Sequence, residues 1–159
     1  MPKTTKVISG GQTGGDRGGL DAAKDCHIET GGTAPKGYRI DGGYDLSLRD
    51  YGLVEHHLRE YPPRTECNVK DSDVTIIFGD DMSPGCKLTK RLCRKHGKNF
   101  LLVRDFSKAE FLNAFKALNE QFKDNIVINI AGNRESSKPG IENKTRMFLV
   151  VLFTMLEKE

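Results

Sequence analysis

Gly10-Gly11-Gln12-Thr13-Gly14-Gly15-Asp16-Arg17-Gly18-Gly19 is the stretch on which the fold turns. It follows the short apolar run Lys6-Val7-Ile8 and leads into Leu20, Ala22 and Ala23, so it reads as a strand, a glycine-rich turn and a helix from Arg17 to Asp25. Six of its ten residues are glycine, a density that predicts close approach of the backbone to an anionic ligand. Glycine N–H groups and the start of the following helix would point at such an anion. The spacing is neither G-x-G-x-x-G nor a loop ending in Lys-Ser/Thr, which excludes an ordinary dinucleotide loop and a P-loop. The competing reading is a turn whose glycines serve chain geometry alone.

Three more apolar runs resemble Lys6-Val7-Ile8: Val74–Phe78, Phe100–Val103 and Ile126–Ile130. Each is short and almost continuously apolar, as strands buried on both faces are. A weaker fifth strand falls at His27–Thr30. Helical patterns separate the runs. Ser107 and Glu110 form a capping box before a stripe of Phe111, Phe115, Leu118 and Phe122. Another helix spans Leu88 to Lys95, and a last one runs from about Ile141 to Leu156 with a wide apolar face. Strands alternating with helices predict an α/β fold, a Rossmann-like three-layer sandwich with a mainly parallel sheet of about five strands. Residues 33–63 break the rhythm with Pro35-Lys36-Gly37, Gly42-Gly43 and Pro62-Pro63; they hold either an irregular helix near Leu53–Tyr61 or a functional loop over the site.

The chain has 159 residues, 36% of them hydrophobic, and is read as one domain over 1–159. No apolar run reaches the roughly 18 residues of a membrane span, and the N-terminal run is too short for a signal peptide, so a cytoplasmic protein is expected. The net charge of +3 is mixed in sign without a Lys/Arg block, which argues against nucleic acid as a partner. Cys26, Cys67, Cys86 and Cys93 form no C-x-x-C pair, and adjacent His56 and His57 make a poor ligand pair, so no metal site is expected.

Two further clusters carry chemistry. Arg64-Thr65-Glu66-Cys67-Asn68-Val69 follows Pro62-Pro63 and reads as a helix N-terminus, either an ordinary solvated helix start or an anion site completed by Arg64 and Thr65. Asn129-Ile130-Ala131-Gly132-Asn133-Arg134-Glu135-Ser136-Ser137 ends a strand, which puts its polar residues on the sheet edge that carries the glycine-rich loop. Ser83-Pro84-Gly85, with Lys87, opens another helix and is as readily a plain turn.

Taken in order, the glycine-rich loop, Pro35-Lys36-Gly37, Arg64–Val69, Asp71-Ser72-Asp73-Val74-Thr75 and Asn129–Ser136 resemble the molybdenum carrier family, the circularly permuted YpsA-related branch of the SLOG Rossmann-like superfamily. The resemblance spans nearly the whole chain. It implies a carrier that binds and protects molybdenum cofactor (molybdopterin), or a similar small phosphorylated molecule, with molybdoenzyme acceptors as partners. The binding residues it implies are Gly10, Gly11, Gln12, Thr13, Gly14, Asp16, Arg17, Lys36, Arg64, Thr65, Asn68, Asn129, Gly132, Arg134, Glu135 and Ser136. One stretch departs: members carry Gly-Gly-Thr before Leu-Thr where this chain has Pro84-Gly85-Cys86-Lys87-Leu88-Thr89.

The resemblance also opens two alternatives, a LOG-like hydrolase of nucleoside monophosphates and a nucleotide-sensing module. The hydrolases place a glutamate just after their second glycine loop, whereas Lys90 and Arg91 follow Thr89 here; Asp16, Glu66 and Glu135 are the substitutes for that missing acid. No residue is assigned a catalytic role. Asp16 is expected to turn from the anion and pair with a backbone N–H or with Arg17. The wide apolar face of the last helix, with Met147 and Met155, predicts a homodimer or homotetramer.

Overall fold

The computed structural model describes residues 4–121 and 125–158. Five strands form one sheet: β1 (Thr4–Ile8), β2 (Glu29–Gly31), β7 (Val74–Phe78), β8 (Asn99–Val103) and β9 (Ile126–Gly132), in the order β2-β1-β9-β7-β8. All four pairings are parallel. The helices are α1 (Gly15–Asp25), α2 (Tyr61–Lys70), α3 (Pro84–Lys95), α4 (Lys108–Gln121) and α5 (Ile141–Glu157). The Rossmann-like three-layer sandwich expected from the sequence is therefore present.

The layers follow from crossover handedness. β1 to β2 and β8 to β9 step one way along the sheet, and β2 to β7 and β7 to β8 step the other way. Right-handed crossovers then require α1 and α4 on one face and α2 and α3 on the opposite one. The packing agrees: α1, α4 and α5 share one core with alternate residues of the strands, among them Val74, Ile76, Phe78, Ile126, Ile128 and Ile130. The other face has a much smaller core of Val69, Leu92 and Cys93, flanked by Leu88 and Phe100. Strand alternation turns Thr75 and Asn129 to this thinner side, where they are register partners.

Several boundaries differ from the sequence expectation. α3 begins at Pro84, not Leu88, because the Ser83 hydroxyl caps it by accepting from the Cys86 N–H at 3.4 Å. α2 begins before Pro62-Pro63, so prolines occupy two of its first three positions and withhold N–H groups that would have faced an anion. Leu53–Glu60 contain no helix; the irregular helices of this region are 3-10 turns at Lys36–Tyr38 and Leu46–Tyr51. Before, between and after these turns run the short strands β3 (Thr33–Ala34), β4 (Arg39–Ile40), β5 (Gly43–Tyr44) and β6 (Val54–Glu55). This segment rests on α1 through Leu48 and Leu53 against Leu20. The box at Ser107 is only half formed. Ser107 Oγ accepts from the Glu110 N–H at 3.2 Å, but the Glu110 carboxylate turns to the N–H groups of Arg104, Asp105 and Phe106. Phe111 and Phe115 pack on the main core with Leu118; Phe122 lies outside the described residues.

The broad apolar face of α5 is buried within the chain: Phe148, Leu149, Leu152, Phe153 and Leu156 all belong to the main core. Only the stripe of Met147, Val151 and Met155 faces outward. Among the described residues no helix is long and apolar enough to cross a membrane.

Gly19 marks how closely α1 lies on the sheet. A Cβ there would stand 2.6 Å from the Ile130 Cβ. Alanine gains about 1 kcal/mol in helix propensity, whereas overpacking a core costs about 1–3 kcal/mol. Gly19→Ala is expected to lower the urea midpoint; a raised midpoint would show that α1 can lift off β9 freely.

Candidate functional site

The connections of β1 and β7 leave the sheet on opposite faces, and β9 lies between the two strands. A crevice forms at the carboxyl end of β9, the place where open α/β sheets bind ligands. A cavity of about 530 Å³ occupies it, on the thinner face between α2 and α3. The loop after β1 contributes Gly10 and Gln12, and the first turn of α1 contributes Asp16; α2 contributes Tyr61, Pro62, Arg64, Thr65 and Asn68. β9 and its loop contribute Asn129, Gly132, Asn133 and Arg134, and the start of α3 supplies Ser83, Cys86, Leu88 and Thr89.

Nine sequence-derived residues thus converge: Gly10, Gln12, Asp16, Arg64, Thr65, Asn68, Asn129, Gly132 and Arg134. Gly11, Thr13, Gly14, Arg17, Lys36, Glu135 and Ser136 do not line the cavity. Arg17 is turned to the segment after β5, donating to Asp45 at 2.7 Å and to the Tyr51 hydroxyl at 3.2 Å. Lys36 is exposed. Glu135 accepts the N–H groups of Gly140 at 2.6 Å and Glu142 at 3.0 Å, which fixes the loop before α5. Ser136 donates to Asp41.

The glycine-rich loop differs most from expectation, because its N–H groups are engaged within the protein. Gly11 donates to Ser9 Oγ at 3.2 Å, Gln12 to Asp16 at 3.2 Å, Thr13 to Gln12 Oε1 at 3.0 Å, Gly14 to Glu142 at 3.2 Å, and Gly15 to the Asn133 carbonyl at 3.1 Å. The glycines serve close packing. A Cβ on Gly10 would overlap the Arg64 guanidinium, and one on Gly14, whose φ is 86°, would overlap the Asn133 carbonyl. The carboxylate of Asp16 takes the anion's place in this loop.

Asp16 did turn to a backbone N–H, but its cationic partner is Arg64 at 3.6 Å, not Arg17. Burial pushes the Asp16 carboxyl from its usual 3.8 up to about 6, against the pull of Arg64 and the N–H groups of Gln12 and Gly10. Burial also lowers the Arg64 pKa, which Asp16 only partly restores. Desolvation therefore outweighs attraction in both partners. The Arg64 Nε is buried without a hydrogen-bond partner among the described residues.

Other polar groups in the wall are partly committed. Asn68 makes a two-way amide pair with the Thr33 backbone, both bonds at 2.9 Å. Asn129 donates to Thr75 Oγ1 at 3.2 Å. Asn133, quoted in the sequence motif but not assigned to the site, ties three loops together. Its Oδ1 accepts the Asp80 N–H at 2.6 Å, and its Nδ2 donates to the Asp80 carbonyl at 3.1 Å and to Ser83 Oγ at 3.2 Å. Its own N–H donates to the Phe78 carbonyl at 3.1 Å. Tyr61 was missed too; a tyrosine directly before Pro-Pro gives no periodic signal.

Glu66 is not an acid for this cavity. It lies on the surface with Lys95 at 2.9 Å and His96 at 2.7 Å, whose hydrogen bonds lower its pKa to about 2. Asp16 is the one carboxylate lining the cavity among the described residues.

Two substitutions test this geometry. Because the folded-state pKa of Asp16 is raised, its contribution to stability is fully present below about pH 4 and lost as pH rises through about 6. At pH 7.5 Asp16→Asn should therefore be more stable than the parent by about 3 kcal/mol, with the gap closing towards pH 4. A less stable variant at pH 7.5 would make the Arg64 attraction dominant. Asn133→Ala leaves the Asp80 N–H unpaired and should cost about 2–4 kcal/mol in chemical unfolding; a loss below about 1 kcal/mol would mean the three loops hold without it.

The chain matches the model of the Circularly permutated YpsA SLOG family over residues 7–153. Its fold is similar to the crystal structure of a protein from Syntrophus aciditrophicus SB named "Putative molybdenum carrier protein", with a TM-score of 0.81, 35% sequence identity and 96% of each chain covered. No curated protein matches the chain. With a family match over almost its full length and a solved relative sharing its fold from end to end, this chain belongs to the circularly permutated YpsA SLOG family.

Proposed function

We propose that the protein binds molybdenum cofactor (molybdopterin), or a similar phosphorylated heterocycle, and carries it in protected form to molybdoenzyme acceptors. The observation that carries this reading is the cavity of about 530 Å³ with a guanidinium in its wall, Arg64, whose buried Nε has no hydrogen-bond partner among the described residues. The volume is within the range of small-molecule sites, and the mix of apolar wall and a few polar groups suits a flat ring. Asn129 and Thr89 can meet ring-edge donors and acceptors, while Arg64 and Arg134 can take phosphate through paired hydrogen bonds. The solved relative's name supports the molybdenum side of the reading. The cofactor's pterin supplies the dithiolene that holds molybdenum; this chain's part is to bind, orient and exclude water. A cytoplasmic setting fits that role. Self-association as a homodimer or homotetramer would draw on the outward stripe of Met147, Val151 and Met155, since the rest of the apolar face of α5 is already covered.

One observation favours a second reading. Asp16 lines the cavity with a pKa near 6, a value suited to general acid–base work. That fits a LOG-like hydrolase of nucleoside monophosphates better than the nucleotide-sensing alternative. Against it, the same carboxylate is held by the Gln12 N–H and faces Arg64.

Native mass spectrometry after incubation with molybdopterin, alongside assays of base release from nucleoside monophosphates, separates the readings. The expected result is retention of molybdopterin without base release, with at least about tenfold weaker binding in Arg64→Ala. Base release that vanishes in Asp16→Asn would make the protein an enzyme.

A further inference from the structure

A second cavity of about 320 Å³ adjoins the first, lined by the β4–β5 hairpin from Arg39 to Tyr44 and by Tyr61 and Arg134. Tyr61 and Arg134 line both cavities, so the two adjoin at these side chains. That wall is unusually cationic. The guanidinium carbons of Arg39, Arg64 and Arg134 lie 4.7, 5.4 and 5.1 Å from the centroid of the one Tyr61 ring. Stacking on an aromatic face offsets only part of the repulsion among three like charges.

Their carboxylate partners are few and loosely placed. Asp16 stands 3.6 Å from Arg64, and Asp41 stands 3.5 Å from Arg134. Arg39 donates to the Arg59 carbonyl at 3.2 Å, a neutral acceptor. Arg64 keeps its buried Nε without a partner among the described residues, and the charge of Arg134 adds to the forces that lower the Arg64 pKa. The wall thus holds three cations against two carboxylates, with guanidinium donors in surplus. An anion placed there gains charge-assisted hydrogen bonds and relieves the repulsion.

The space does not end at that wall. Beyond it, the smaller cavity presents Asp41, Tyr44 and the backbone of Gly42 and Gly43. A carboxylate and a tyrosine hydroxyl accept from sugar hydroxyls, and Asp41 would repel a second phosphate. We propose that the two cavities hold one ligand of dinucleotide type: a planar heterocycle in the larger cavity, a bridging phosphoryl or pyrophosphoryl group at the arginine wall around Tyr61, and a sugar-bearing group in the smaller cavity. This rests on the phosphorylated-ligand reading above and specifies its class, with the phosphoryl group internal to the ligand rather than terminal.

Binding of two matched pairs tests it: AMP against ADP-ribose, and molybdopterin against molybdopterin joined through pyrophosphate to guanosine. The extended member of a pair should bind at least about tenfold tighter. In Arg39→Ala, and independently in Tyr44→Ala, the ratio should fall towards one; thermal unfolding confirms that each variant is folded. A ratio near one in both pairs, or a ratio that survives both substitutions, overturns the proposal. Equal binding of the two molybdopterin forms without preference for ADP-ribose overturns this inference alone and leaves the carrier reading standing. Preference for ADP-ribose with no binding of either molybdopterin form supports the two-cavity ligand and overturns the carrier. Failure of all four ligands to bind overturns both.

Discussion

The carboxyl edge of this sheet is organised by the side chain and backbone of one residue, Asn133. Its carbonyl accepts from Gly15 at the start of α1, its Oδ1 and Nδ2 hold the Asp80 backbone and Ser83, and its N–H returns to Phe78 at the end of β7. Loops from three adjacent strands are therefore tied at one point. Asn133 is 6% exposed, so a lost bond there leaves a buried polar group without water to replace it. The surrounding glycines are the steric counterpart: Cβ atoms on Gly14 and Gly79 would overlap Asn133 atoms. Amide geometry and glycine packing together set how close the three loops come, and so fix the floor of the cavity.

That knot explains why the glycine-rich loop is not a free anion cradle. Its N–H groups hold the loop to Ser9, Asp16, Gln12, Glu142 and Asn133, and Asp16 stands where an external anion would sit. In the proposed function, the burden of binding negative charge falls to arginines of α2 and of the loop after β9. The asymmetry of the two sheet faces completes the arrangement. One face is filled by α1, α4 and α5, whereas the other leaves space between α2 and α3, into which Asn129 and Thr75 turn.

Much of this was legible in the sequence. Continuous apolar runs such as Val74–Phe78 mark strands buried on both sides, and Asn129–Ser136, running off the end of a strand, marks the edge where open α/β sheets bind ligands. Less legible was the use of each donor. Nothing local to Arg17 reveals that its guanidinium is held by Asp45, 28 residues away, or that Gly14 donates to Glu142, 128 residues away. Those pairings depend on the approach of the β4–β5 region and α5, which tertiary packing decides. The start of α2 was misplaced for a related reason. Pro62-Pro63 suits the first turn of a helix as well as the residues before it, and only the structure shows Tyr61 leading them. Tyr61 then becomes the common wall of two cavities, a role that no spacing rule assigns.

The glycine-rich loop is closed by its own carboxylate, and in the proposed function a ligand phosphate lies instead against the arginines around Tyr61. The most direct measurement is a crystal structure of the complex with a phosphorylated ligand, with the phosphorus located from its electron density. The expected result is phosphoryl oxygens within hydrogen-bond distance of Arg64 and Arg134, and the Asp16 carboxylate still accepting from the Gln12 N–H. A phosphorus atom over Gly10–Gly14, with Asp16 displaced and the loop N–H groups turned to the ligand, would contradict it.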